Sequence, residues 1–238
     1  MKTPTKWGIC MEGNAQPFAE ALDLLIRRRP AKEKRPFTYL EIGVGEGGTL
    51  AAVVELLKQY DGLNWSVTGV DIPAGWSYNE AAVKRNVNGV RLPMASQIVS
   101  GSASVYLVPS HKFLTEVWDW PVDFAFVDGC HGKSCVKGDF IGLARHIRRG
   151  GIVCFHDASP KCQGYHPQPH CGTGIVVREA LQELGLLEDR LPCWRLWREV
   201  DADHGCAFFQ FVGYDKVKIP AVPPPKESQG DPLLGNPG

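Results

Sequence analysis

Apolar and polar positions along the chain follow two periods in turn. Phe18, Leu22 and Leu25 share one face of a predicted helix over about residues 15–28, and a charged run, "RRRPAKEKRP", reads as a solvated linker after it. Short apolar runs of strand length then recur: "FTYLEI", "WSVTGVDI", "VYLVPS", "VDFAFVDG" and "GGIVCFHD". Helical spacing lies between and after them in "TLAAVVELLKQ", residues 79–88, "HKFLTEVW", "SCVKGDFIGLARHI" and "GIVVREALQELGLL". "MASQIVSGSAS" fits no element, and "WRLWREV" and "CAFFQFV", joined by the turn-like "DADHG", predict a closing hairpin. Strands alternating with helices predict an α/β fold: a doubly wound, mostly parallel seven-stranded sheet with helices on both faces and one antiparallel edge strand from the hairpin. The domain is expected over residues 1–218, and the Pro- and Gly-rich residues 219–238 as a disordered tail.

Composition narrows the ligand. In 238 residues one good core can form, and Lys plus Arg equals Asp plus Glu at 26 each. No net field draws nucleic acid or an anionic membrane, so a small molecule is the expected partner, with a second copy of the chain as a further option. No signal-like or membrane-spanning apolar stretch occurs, which predicts a cytoplasmic protein, and the eight cysteines read as reduced, mostly buried thiols. Cys162, His166, His170 and Cys171 are soft ligands at a spacing that matches no strong zinc motif, so their loop reads as substrate-facing with incidental histidines.

Ligands of parallel sheets bind at the carboxyl ends of the strands. There the sequence places Glu41 and its glycines after the first strand, Asp71 after the second, Asp128 and His131 after the fourth, and His156 and Asp157 after the fifth. The loop "YLEIGVGEGGTL" sets Gly43, Gly45, Gly47 and Gly48 behind Glu41. Dinucleotide loops carry G-x-G-x-x-G for a pyrophosphate, which an acid ahead of the glycines would repel; the acid suits an ammonium or sulfonium group, and so S-adenosylmethionine over NAD. Trp76 and Tyr78, just past Asp71, are placed to stack on an adenine or to pack on the body.

The glycine run resembles the first motif of class I S-adenosylmethionine-dependent methyltransferases, with Asp71 where that family's second acid pairs with ribose hydroxyls. "VDFAFVDGCH", "VKGDF" and "RRGGIVCFHD" resemble a small-molecule O-methyltransferase subgroup, methyltransferase family 24, whose look the cephalosporin hydroxylase type shares. The resemblance spans roughly residues 37–212. It implies a Rossmann-like sheet and a cofactor held by Glu41, Gly43, Gly45, Gly47, Asp71, Trp76, Ser110 and Asp128, with His131 and Asp128 catalytic. Metal-dependent O-methyltransferases similar to this subgroup, catechol and macrolide-sugar enzymes among them, hold a divalent cation at positions matching Asp128, His156 and Asp157. His156 stands where an acid is usual, giving a softer set suited to Mg, Mn or Fe, and also to Co or Zn.

A cation would matter for chemistry. An aliphatic hydroxyl ionises about 9 units above an unperturbed imidazole, a gap of roughly 12 kcal/mol, whereas a divalent ion can lower the pKa of bound water to about 7. Without one, His131 acts only in concert with transfer, or the acceptor is more acidic or an amine. Two other readings remain open at this point: a nicotinamide-dependent oxidoreductase on a similar sheet, and a module that binds the nucleoside without turnover.

Overall fold

A computed structural model describes residues 13–30, 32–72, 79–87, 101–161, 174–202 and 204–213. The elements in chain order are α1 (Ala15–Arg27), β1 (Phe37–Ile42), α2 (Gly48–Leu57), β2 (Trp65–Asp71), α3 (Glu80–Asn86), β3 (Ser102–Leu107), α4 (Ser110–Lys112), β4 (Val122–Val127), α5 (Lys133–Ala144), β5 (Ile147–Phe155), α6 (Gly174–Glu183), β6 (Trp194–Glu199) and β7 (Ala207–Phe211). They build one sheet in the order β3-β2-β1-β4-β5-β7-β6. All pairs are parallel except those made by β7, which is antiparallel to both β5 and β6.

The expected doubly wound sheet is therefore present, with one difference in the hairpin. The antiparallel strand is β7, and it is internal; β6 forms the edge. The crossover through α6 lays β6 parallel to β5 but one place removed, and the returning β7 fills the gap, satisfying the hydrogen-bonding edges of both neighbours. Phe155 of β5 pairs with Ala207 of β7, so the turn before β7 lies beside the carboxyl end of β5.

Alternation along the strands divides the core. Phe37, Tyr39, Phe124 and Phe126 face the side covered by α1 and α2, while Leu40, Ile42, Ala125 and Val127 face α5 and α6. Helix α1 forms where the apolar spacing places it: Phe18, Leu22 and Leu25 are buried, and the Phe18 ring packs 4.8 Å from Phe124 and 5.3 Å from Phe126. Strand β3 begins at Ser102, inside the stretch that fits no pattern, and the helix expected after it is only α4 followed by a π-helical turn, Phe113–Val117. Phe113 and Leu114 in this turn are both buried.

The charged run is not merely solvated. Arg29 and Arg35 reach the fully buried Asp123 at the start of β4: Arg35 makes two hydrogen bonds of 2.8 and 2.9 Å to its carboxylate, Arg29 lies at 3.3 Å, and Arg148 adds a third guanidinium. The Thr38 amide donates to the same carboxylate at 2.8 Å. This cluster sits at the amino ends of the strands and ties the linker to the sheet. Residues 219–238, Trp76, Tyr78 and the loop from Cys162 to Cys171 lie outside the described residues. Among the described cysteines, Cys154, Cys193 and Cys206 are buried as expected, Cys135 is half-buried and Cys130 is exposed. No helix of the described residues is long and apolar enough to cross a membrane.

Candidate active site

Strand order reverses between β1 and β4, so their carboxyl ends open the crevice where ligands of such sheets bind. The glycine loop leaves β1 there. Gly43, Gly45 and Gly47 have φ of 87°, 54° and 78°, left-handed backbone that costs other residues strain. Gly43 also passes so close to the Asp128 carbonyl that a Cβ would overlap it. Gly47 forms the N-cap of α2 with no side chain capping the helix, which leaves bare backbone at its positive end.

Asp71 braces this loop. One carboxylate oxygen accepts from the Val44 and Gly45 amides at 2.8 and 2.9 Å, and the other accepts from Ile72 at 2.7 Å. The predicted ribose ligand thus holds the loop's shape, a job the sequence did not suggest. Glu41 lies in the core side of β1, 1% exposed, and accepts a hydrogen bond of 2.8 Å from the Tyr39 hydroxyl. Burial, with the charges of Asp128 and Asp71, raises its pKa well above the ordinary carboxylate range despite that bond. Ser110 opens α4 at the end of β3, where its hydroxyl donates to the buried Asp139 at 2.6 Å. Burial lifts Asp139 to about 7.

The other predicted residues converge. Asp128 follows β4 and its amide donates to the Ile42 carbonyl at 2.8 Å, which joins the two strand ends at the switch point. His131 lies three residues on, just before the Gly132 N-cap of α5. Its Nε2 is buried and lies 3.5 Å from Asp128 Oδ1 and 3.4 Å from Asp157 Oδ2, beyond ordinary hydrogen-bond length. His156 Nδ1 faces the same two oxygens from behind, at 3.1 and 3.3 Å. His156 is 2% exposed and packs edge-on against Phe126, so the crevice side of the carboxylate pair belongs to His131. Ligand atoms of Asp128, His131 and Asp157 all lie within 4.8 Å of one another, close enough to hold one cation.

The charges support one another. Burial works against ionisation of Asp128 and Asp157, but the histidines outweigh it and lower both pKa values. Burial likewise opposes the charged imidazoles, and the two carboxylates outweigh it, raising His131 and raising His156 strongly. In the metal-free protein the carboxylates favour the charged form of His156, which then acts as a buried counter-ion to the pair. A residue the sequence reading missed completes the cluster: His204, in the "DADHG" turn, has Nδ1 2.7 Å from Asp157 Oδ1. The only signal for it was a histidine in a turn that this topology carries to the carboxyl end of β5.

Comparison with known proteins places this geometry. The sequence model of a methyltransferase-domain family matches residues 40–158. The O-methyltransferase NovP is similar in structure with a TM-score of 0.57 at 15% identity, covering 84% of this chain and 80% of its own. Cofactor-bound Rv0187 from MTB gives a TM-score of 0.52 at 15% identity, over 83% of this chain and 90% of the other. The O-methyltransferase TomG from Streptomyces achromogenes, described as involved in tomaymycin synthesis and solved in complex with S-adenosylmethionine, gives 0.51 at 11% identity, over 84% and 81%. At these identities the structural likeness speaks for the fold.

Proposed function

The chain belongs to the methyltransferase-domain family, matched over residues 40–158 of its 238, and is an S-adenosylmethionine-dependent methyltransferase; from that premise we propose that it methylates oxygen on a small-molecule acceptor with help from a divalent cation. One observation carries the reading: a glycine loop braced by Asp71 and the carboxylate pair Asp128 and Asp157, with an imidazole beside it, stand together at the carboxyl ends of neighbouring strands. The nicotinamide reading gives way to the family match. NovP and TomG, both described as O-methyltransferases, favour oxygen by analogy.

The glycines bring bare backbone to the cofactor's amino-acid end. Glu41, whose burial disfavours its charge, ionises more readily once an ammonium or sulfonium group lies near it. Two carboxylates and one neutral imidazole are a fitting set for Mg, Mn or Fe, and Asp128, Asp157 and His131 would hold the ion on the crevice side. When bound, it would lower the pKa of an acceptor hydroxyl. If His131 instead stays free of the ion, its Nε2 is the base that takes the hydroxyl proton as the methyl group moves.

Calorimetry tests both halves. The expected result is binding of S-adenosylhomocysteine without NAD, and Mn²⁺ binding that EDTA reverses together with turnover. Binding of NAD with no sulfur nucleoside bound would sink the cofactor half, and full turnover by metal-free protein in EDTA the cation half. A second expectation concerns the loop. Gly43→Ala should lose at least about 10-fold in S-adenosylhomocysteine affinity, the equivalent of part of a ~1–3 kcal/mol backbone strain. Gly62→Ala, equally left-handed at φ 72° but with open space around it, should lose stability alone. Equal nucleoside affinity in both variants would show that the close approach at Asp128 does not shape the site.

A further inference from the structure

We infer that His204 is a positioning residue, which holds one oxygen of Asp157 so that the other points at His131 and the cation proposed there. The inference rests on the cation reading above but concerns a residue outside the segment 40–158 that the family match covers. A carboxylate only accepts hydrogen bonds, so in the 2.7 Å contact His204 Nδ1 is the donor and Asp157 Oδ1 the acceptor. Oδ2 is the oxygen that faces His131 Nε2 at 3.4 Å and His156 Nδ1 at 3.3 Å. The two oxygens therefore have separate duties. A hydrogen bond of this kind fixes the orientation of a liganding carboxylate, and losing such a partner typically costs about 10–100-fold in metal affinity.

The backbone is built to keep the pair together. Asp157 and His204 have φ of 53° and 56°, both left-handed, a conformation uncommon for residues with a side chain. Strain of that kind persists where the surroundings over-determine it. Here Asn14, fully buried at the start of α1, donates to the His204 carbonyl at 2.9 Å and accepts from the Cys206 amide at 2.9 Å. Between them, the Gly205 carbonyl accepts from Ala158 and Ser159 at 2.9 and 3.1 Å, and a Cβ on Gly205 would overlap the Val200 carbonyl. The turn is thus fastened to the two residues that follow Asp157. The His204 ring also lies parallel to His156, with ring centroids 6.0 Å apart and planes at 4°.

Three proteins decide the matter by titration of the metal-free forms with Mn²⁺, followed by calorimetry or by the Mn²⁺ paramagnetic signal. His204→Gly removes the ring but suits the left-handed backbone, and should weaken Mn²⁺ binding ~10–100-fold. His204→Asn tolerates the same backbone and offers an amide donor near the place of Nδ1, so affinity should return to near the wild-type value. Wild-type affinity in His204→Gly overturns the inference, and so does an equal loss in the Gly and Asn variants, which would assign the ring to packing. If wild-type protein takes up no Mn²⁺, the cation reading fails and the inference is decided separately in metal-free protein carrying ¹⁵N-labelled histidine. There, a His204 Nδ1–H resonance that shifts in Asp157→Asn supports the holding contact, and one that stays in place overturns it.

Discussion

His131→Ala should slow methyl transfer in single turnover by ~10²–10⁴-fold while S-adenosylhomocysteine binds as before. The expectation comes from position. His131 stands at the entry to α5, on the crevice side of the carboxylate pair, with Nε2 within 3.5 Å of both Asp128 and Asp157. Its ion-pair partners are Asp128 and Asp157, while the glycine loop is braced by Asp71, so the cofactor should not register its loss. The pair of carboxylates raises the imidazole's pKa against the pull of burial, so the neutral base form fills only above the ordinary histidine range, and the wild-type rate should climb with pH through that raised value. Mn²⁺ titration of the same variant separates two ways of losing rate. Unchanged Mn²⁺ affinity identifies a base, and lost affinity identifies a ligand. Transfer at the wild-type rate from pH 6 to 9, measured on a panel of catechol, phenol and sugar hydroxyls, would remove His131 from the chemistry.

The largest loss of stability is expected at the other end of the sheet. Asp123 is fully buried and pairs with three guanidiniums, of which Arg29 is nearly buried itself, with a side chain 6% exposed. Removing one partner of such a cluster strands the remaining charge away from water, at a cost of ~3–5 kcal/mol. Asp123→Ala also leaves the Thr38 amide at the head of β1 without its acceptor, and Asp123→Asn keeps that acceptor but not the charge. Both variants should unfold at lower denaturant with an unchanged slope, Asn less severely than Ala. The exposed pair Arg27 and Asp23, one helical turn apart on α1, is the reference, since Arg27→Ala should cost no more than ~0.5 kcal/mol. An Asp123→Ala protein within 1 kcal/mol of wild type, on the scale of that surface reference, would show that water reaches the cluster and screens it.

Both expectations depend on residues of different legibility. Asp128 and Asp157 could be read because parallel strands deliver their carboxyl ends to one edge, so any acid just past an apolar run is a candidate for the same crevice. The glycines could be read for a related reason: alternate glycines directly after a strand and before a helix serve a left-handed turn, and three of them adopt one. Asp123 could not be read, since an acid at the start of a strand looks solvent-exposed until Arg35, 88 residues earlier, is brought against it. His204 was hidden in the same way. Its partner Asp157 is 47 residues away, and the Asn14 clamp spans 190.

The amino-acid sequence by itself determined the order of strands and helices, the doubly wound sheet, the glycine loop and the acids at the strand ends, because each depends on spacing within a few residues or on one rule of strand direction. Tertiary structure alone decided that β7 lies inside the sheet, that Asp71 braces the loop, that His156 stands behind the carboxylates and His131 before them, and that His204 closes the cluster. These depend on which side chains meet across many residues of chain, and hydrophobic periodicity sets which face of an element is buried without naming what it is buried against.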